Sequence, residues 1–142
     1  MNKGIQINII DREYCGEYVI GMIVIDDFQE IIEIPIEYWK LDQYEYQWKN
    51  GLQRLKDYNN SCLVFAVNDP HQRRYVNWWL LYKENGLVYI QNQIIIGEIY
   101  KEMIGKKDFT VETCYDFIPD RYCSDDEDEK VSEWCVRYSD IF

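Results

Sequence analysis

One helical stripe in an otherwise strand-like chain limits the possible folds more than any other feature. Leu41, Tyr44, Trp48, Leu52, Leu55 and Tyr58 recur at spacings of three and four, which on a 3.6-residue helix places them along one side. The pattern predicts a helix over about 42–58 with an apolar, aromatic inner face. Asp42 followed by Glu45 has capping-box spacing, with Asp in place of Ser or Thr, and acids in the first turn favour the helix dipole. Gly51 lies mid-helix beside the stripe, where it costs about 1 kcal/mol relative to Ala unless another element must approach closely. Tyr58-Asn59-Asn60-Ser61 ends the helix.

Around the helix the chain reads as short strands. Residues 5–10, 17–25 and 29–36 are rich in Ile and Val with partial period-two alternation. Asp26-Asp27 makes a turn between the second and third, which should pair as a hairpin. Ile32, Ile34 and Ile36 share one face, and Pro35, which cannot donate to a ladder, belongs at an edge or a strand end. Residues 62–67 (CLVFAV) are continuously apolar, the mark of a central strand buried on both faces. Residues 74–83 and 87–96 flank Glu84-Asn85-Gly86, whose Asn-Gly pair signals a hairpin. The adjacent Trp78 and Trp79 point to opposite faces of their strand, so one belongs to the core and the other is either packed normally or left for a partner. Residues 97–108 fit one helical turn or two ending at Gly105, 110–118 a short strand, and 131–138 a terminal strand. The expected architecture is α+β over residues 1–142: a mostly antiparallel sheet with one long amphipathic helix packed on one face.

A chain of 142 residues fits one domain and can bury roughly 68–70% of its unfolded surface. Hydrophobic residues at 47% and charged residues at 29% are near globular averages, which argues against wholesale disorder. No stretch approaches the ~20 apolar residues of a transmembrane helix, and Met1-Asn2-Lys3-Gly4 leads into strand alternation instead of a signal-peptide run. The expected location is cytoplasmic, with no membrane partner. Cys15, Cys62, Cys114, Cys123 and Cys135 are odd in number and include no C-x-x-C pair, which disfavours a disulfide framework. Cys62 and Cys135 sit in apolar runs, where reduced cysteine behaves as a small hydrophobe.

Catalytic and cofactor signatures are missing. The single histidine, His71, follows Pro70 in a turn without a neighbouring nucleophile, and it reads as solvated because a general-base histidine needs a third group to orient it. Cys and His are not clustered at zinc spacing, the glycines form no phosphate loop, and no cofactor or metal is expected. What stands out is a net charge of -11 together with 5 Trp and 13 Tyr. Tyr and Trp suit interfaces, while an acidic surface selects basic partners and repels nucleic acid. Asp125, Asp126, Glu127, Asp128 and Glu129 form one unbroken run in an acidic loop at about 124–130. The run lacks EF-hand register; it is either a solvated loop or one that docks a basic protein and speeds association at low salt.

A pattern joins Tyr38-Trp39, Tyr44, Gln47-Trp48 and Leu52 to Ser61-Cys62-Leu63, Asp69-Pro70, Trp78-Trp79-Leu80-Leu81-Tyr82 and Val88-Tyr89-Ile90-Gln91-Asn92-Gln93. Phe117-Ile118-Pro119-Asp120-Arg121 and Ser132-Glu133-Trp134 extend it, so that it spans about two-thirds of the chain. It resembles the immunity proteins of bacterial contact-dependent growth inhibition systems. The resemblance implies a non-enzymatic cytosolic inhibitor that binds the C-terminal toxin domain of a cognate effector 1:1 and blocks its active site or substrate access. Many such toxins are nucleases with basic grooves, which the charge of -11 fits; Asp125 to Glu129 are then the toxin-binding candidates. Two other readings stand beside it: a small cytosolic enzyme with a dispersed site at Asp69, His71 and Tyr75, and a structural protein that self-associates through its aromatics.

Overall fold

The Ile- and Val-rich N-terminal segments form β1 (Ile5–Cys15), β2 (Tyr18–Ile25) and β3 (Phe28–Pro35). In the computed structural model, which describes residues 4–68, 75–96, 102, 105, 107–122 and 132–142, these pair antiparallel in the order β1-β2-β3. The Asp26-Asp27 turn joins β2 to β3 as expected, with Asp26 at φ 49°. The Asp26 carboxylate accepts the Gly4 N–H at 2.7 Å, which fastens the start of β1 to that turn. Pro35 closes β3 at the sheet edge, where a residue without an N–H is tolerated.

The remaining strands, β4 (Asn60–Val67), β5 (Tyr75–Glu84), β6 (Leu87–Ile96) and β7 (Glu133–Arg137), build a second antiparallel sheet in sequence order. Asn85 and Gly86 carry φ of 53° and 79°, the two left-handed residues of a tight hairpin turn. The strands therefore split into two sheets. Phe28 of β3 meets Trp134 of β7 at 4.7 Å, and buried side chains from both sheets join one apolar cluster. Trp78 and Trp79 are both fully buried, on opposite faces. Trp78 packs on Phe109 at 5.5 Å, Trp79 on Trp134 at 5.3 Å, so neither is left for a partner. Among the described residues neither indole N–H has an acceptor.

The helix α1 (Leu41–Arg54) is shorter than its apolar stripe suggested. Its N-terminus is capped by Gln43, whose side-chain oxygen accepts the Lys40 N–H at 2.7 Å. Glu45 does not reach back to cap; it forms a two-bonded ion pair with Arg12 of β1 at 3.0 and 3.2 Å. Beyond the last turn Tyr58 is exposed, with the Arg54 guanidinium 4.0 Å above its ring. Tyr44, Trp48 and Leu55 are buried as the stripe requires.

Continuous burial of residues 62–67 holds, but β4 lies at a sheet edge and not at the centre. Side chains of α1 take the place of the missing neighbour. The Gln47 carboxamide accepts the Val64 N–H at 2.7 Å and donates to the Cys62 carbonyl at 2.8 Å. The Trp48 indole donates to the Val64 carbonyl at 2.7 Å. The Tyr44 hydroxyl accepts the Val67 N–H at 3.0 Å and donates to the Pro35 carbonyl at 2.7 Å, tying the edge of one sheet to the end of the other. Approach this close requires Gly51, because any Cβ there would collide with the Cys62 carbonyl.

Two further expectations are corrected. Residues 110–118 form a turn and a 3-10 helix, Cys114–Phe117, instead of a strand. Thr110 and Thr113 exchange local side-chain and backbone bonds, and the Cys114 N–H turns back to the Thr110 carbonyl at 2.9 Å; such self-bonding competes with a ladder. Cys135 is exposed, because it shares the solvent face of β7 with Glu133 and Arg137 while Trp134 and Val136 pack inward, whereas Cys62 is buried as expected. The segment 97–108 lies largely outside the described residues.

Replacing Gln47 with Leu leaves a buried N–H and C=O unpaired, and urea unfolding should register a loss of about 2–4 kcal/mol. Gly51→Ala should cost roughly 1–3 kcal/mol through overpacking. Losses well under about 1 kcal/mol in both would mean the helix does not hold the β4 edge.

Candidate functional site

Residues 107–122 cross one face of the second sheet as a strap and bring the chain to the start of the acidic segment. Phe109 anchors the strap, buried against Trp78, Trp39 and Phe117 with ring centroids 5.4–5.8 Å apart. Farther on, the Tyr82 hydroxyl donates to the Pro119 carbonyl at 2.9 Å. Burial, reinforced by the charge of Asp120, pushes the Tyr82 pKa up to about 12, so the phenol keeps its proton and the bond. Beneath the 3-10 helix the Cys62 and Cys114 sulfurs lie 3.8 Å apart. Burial pushes the Cys62 thiol up, which withholds the thiolate that nucleophilic chemistry needs.

The strap ends in a clamp. Arg121 stacks over Tyr89 at 3.7 Å and makes a forked pair with Glu133, at 2.8 and 2.7 Å. Buried Gln91 of β6 donates to the Tyr122 carbonyl at 2.9 Å and to Glu133 at 2.8 Å, and accepts the Tyr122 N–H at 3.3 Å. Tyr122 and Glu133, on either side of the acidic run in sequence, are therefore tied to the same side chain, Gln91 of β6. The run itself, Asp125 to Glu129, lies outside the described residues, as do Asp69 and His71. Tyr75, the third member of the dispersed-site reading, is exposed at the start of β5.

A groove of about 470 Å³ opens beside the clamp, between Arg54 and Tyr58 on one side and Pro119 to Arg121 on the other. Arg54 is fixed by Asn60, which it contacts at 3.0 and 3.1 Å, and by the Tyr58 and Tyr115 rings. Among the described residues the exposed aromatics are tyrosines 38, 46, 58, 75 and 122 together with Phe142. Among the described residues no three His, Cys, Asp or Glu side chains gather as metal ligands. Among them, too, no helix is long and apolar enough to cross a membrane. Sequence reasoning missed Gln47 as an edge-closing group and Gln91 as the anchor of the strap; for Gln47 the available signal was an amide beside the apolar stripe of the helix, whereas Gln91, the first of three consecutive amides in β6, gave none.

The clamp titrates. Hydrogen bonds from Arg121 hold the Glu133 carboxyl below its ordinary 4.5, against the opposing effect of burial. A carboxyl lowered in the folded state contributes stability above its unfolded pKa and loses it as pH falls through the folded value. The stability advantage of wild type over Glu133→Gln should therefore be constant near neutrality and shrink as pH drops below 4.5. A difference that stays flat through acid unfolding would show that the pair contributes nothing.

Comparison with known proteins accords with this frame. The sequence model of the CdiI N-terminal domain matches residues 34–142, starting inside β3. The immunity protein CdiI of Enterobacter cloacae subsp. cloacae is 33% identical over 113 residues, covering 79% of this chain and 74% of that protein. A chain of the solved CdiA-CT/CdiI toxin and immunity complex from Enterobacter cloacae superposes with a TM-score of 0.75 at 27% identity, over 96% of this chain and 92% of its own length. With its helix, its edge-closing amide and its C-terminal strap inside the matched stretch, the chain belongs to the CdiI immunity-protein family.

Proposed function

We propose that this protein neutralises the C-terminal toxin domain of a cognate contact-dependent inhibition effector, by forming a 1:1 complex in the cytoplasm that covers the toxin's active site or its substrate path. The observation that carries this reading is the likeness, over nearly the whole chain, to a chain of a toxin and immunity complex. On this reading the protein acts as a single domain and catalyses nothing itself. Its partner is basic, as expected of a nuclease that must hold phosphates.

Charge supports the pairing. A net charge of -11 draws a cationic toxin from solution and raises the encounter rate. Asp125 to Glu129 concentrate part of that charge between two positions fixed by the Arg121–Glu133 clamp. Carboxylates in this stretch stand in for the phosphates of the toxin's substrate.

Association with the toxin domain encoded immediately upstream tests the proposal. Stopped-flow or surface-based kinetics should show tight 1:1 binding whose on-rate falls steeply from low to high salt. Changing Asp125, Asp126, Glu127, Asp128 and Glu129 to their amides should slow association by roughly tenfold with a smaller change in dissociation. Salt-independent binding would overturn the electrostatic mechanism, and no binding at all would overturn the function.

A further inference from the structure

The middle strand of the N-terminal sheet, β2, is apolar on both faces. Val19, Ile23 and Ile25 point inward and join the core cluster. Tyr18, Ile20 and Met22 point the other way, each part-exposed, as does Val24, which is buried at 4%; none of the four belongs to that cluster or packs on it. The register places Ile31 of β3 and Asn8 of β1 on either side of Met22, and Glu33 and Asp11 on either side of Ile20. Ile31 is 59% exposed, the highest value among the large hydrophobics in the described residues.

A strand apolar on both faces is the pattern of one covered on both sides, yet among the described residues the outer side has an apolar centre and a rim of exposed Gln6, Asp11, Gln29 and Glu33. Apolar centre and polar rim are the anatomy of a protein interface. Residues 4–40 carry eight carboxylates against two cations, so the rim sits in a negative field. That field selects a basic partner and disfavours a second copy of this chain, whose like charges would meet across the contact.

We propose that the outer face of β1-β2-β3 is a docking surface for the basic toxin domain, with Ile31 and Met22 as apolar anchors and Glu33 and Asp11 as flanking carboxylates. The inference rests on the toxin-neutralising reading and adds a surface on the side of the molecule built by the first three strands. The acidic run steers the encounter, and this face supplies the buried contact that slows dissociation.

Ile31→Lys and Glu33→Lys test it, with Ile94→Lys on β6, equally apolar and 55% exposed, as control. Binding to the toxin domain encoded immediately upstream is measured by titration calorimetry, with thermal melting and sedimentation run on each variant. The expected result is a Kd raised roughly tenfold or more by Ile31→Lys and several-fold by Glu33→Lys, within about twofold of wild type for Ile94→Lys. All three variants should melt close to wild type, since each side chain is exposed. Wild-type binding retained unchanged in both N-terminal variants overturns this inference alone. Absence of wild-type binding overturns it together with the functional reading, and a wild-type dimer dispersed by Ile31→Lys assigns the face to self-association instead.

Discussion

A single carboxamide at the edge of a sheet sets how the helix and the two sheets come together. Gln47 offers the N–H and C=O of β4 the same pair of partners that a neighbouring strand would, at 2.8 and 2.7 Å. An exposed strand edge invites pairing with other chains, and an unpaired buried backbone group costs on the order of 1–3 kcal/mol. Gln47 removes both problems at once, provided the helix comes close enough, and Gly51 makes that approach possible. Once α1 is seated, Tyr44 links β4 to the end of β3, and the two sheets share a core.

Gln91 works in a similar way elsewhere in the same sheet, from β6 to the strap. It pairs with both backbone groups of Tyr122 and also holds Glu133, so strap, clamp and last strand converge on one buried amide. The result is a frame held by buried amides and aromatic anchors, distinct from the charged residues at its surface. For a protein that must recognise one toxin among many, such a division is useful: surface residues can change partner specificity while the amides and aromatic anchors keep the fold.

Much of this was legible in the sequence. The three-and-four spacing from Leu41 to Leu55 located the helix, Asn85-Gly86 located a hairpin, and Gly51 signalled a close approach. The errors share a cause, which is that local pattern does not encode which neighbour an element meets. CLVFAV reads as central because burial on both faces normally comes from flanking strands, whereas here a helix covers one edge. TVETCYDFI alternates like a strand, but Thr110 and Thr113 satisfy their own backbone. Cys135 looked buried because Trp134 and Val136 are apolar, but those two take the inner face of β7 and alternation turns Cys135 outward. The acidic run was visible only as charge, whereas the clamp between its flanks needed three residues distant in sequence, Gln91, Arg121 and Glu133.

Protection against a toxin is what the protein is proposed to provide, and growth reads it out. The toxin domain encoded immediately upstream is induced in sensitive cells with this protein expressed beforehand, and in cells without it. Growth should stop without the protein and continue at the uninduced rate with it. Arrest in both cultures, with the protein folded and in excess, would contradict the account.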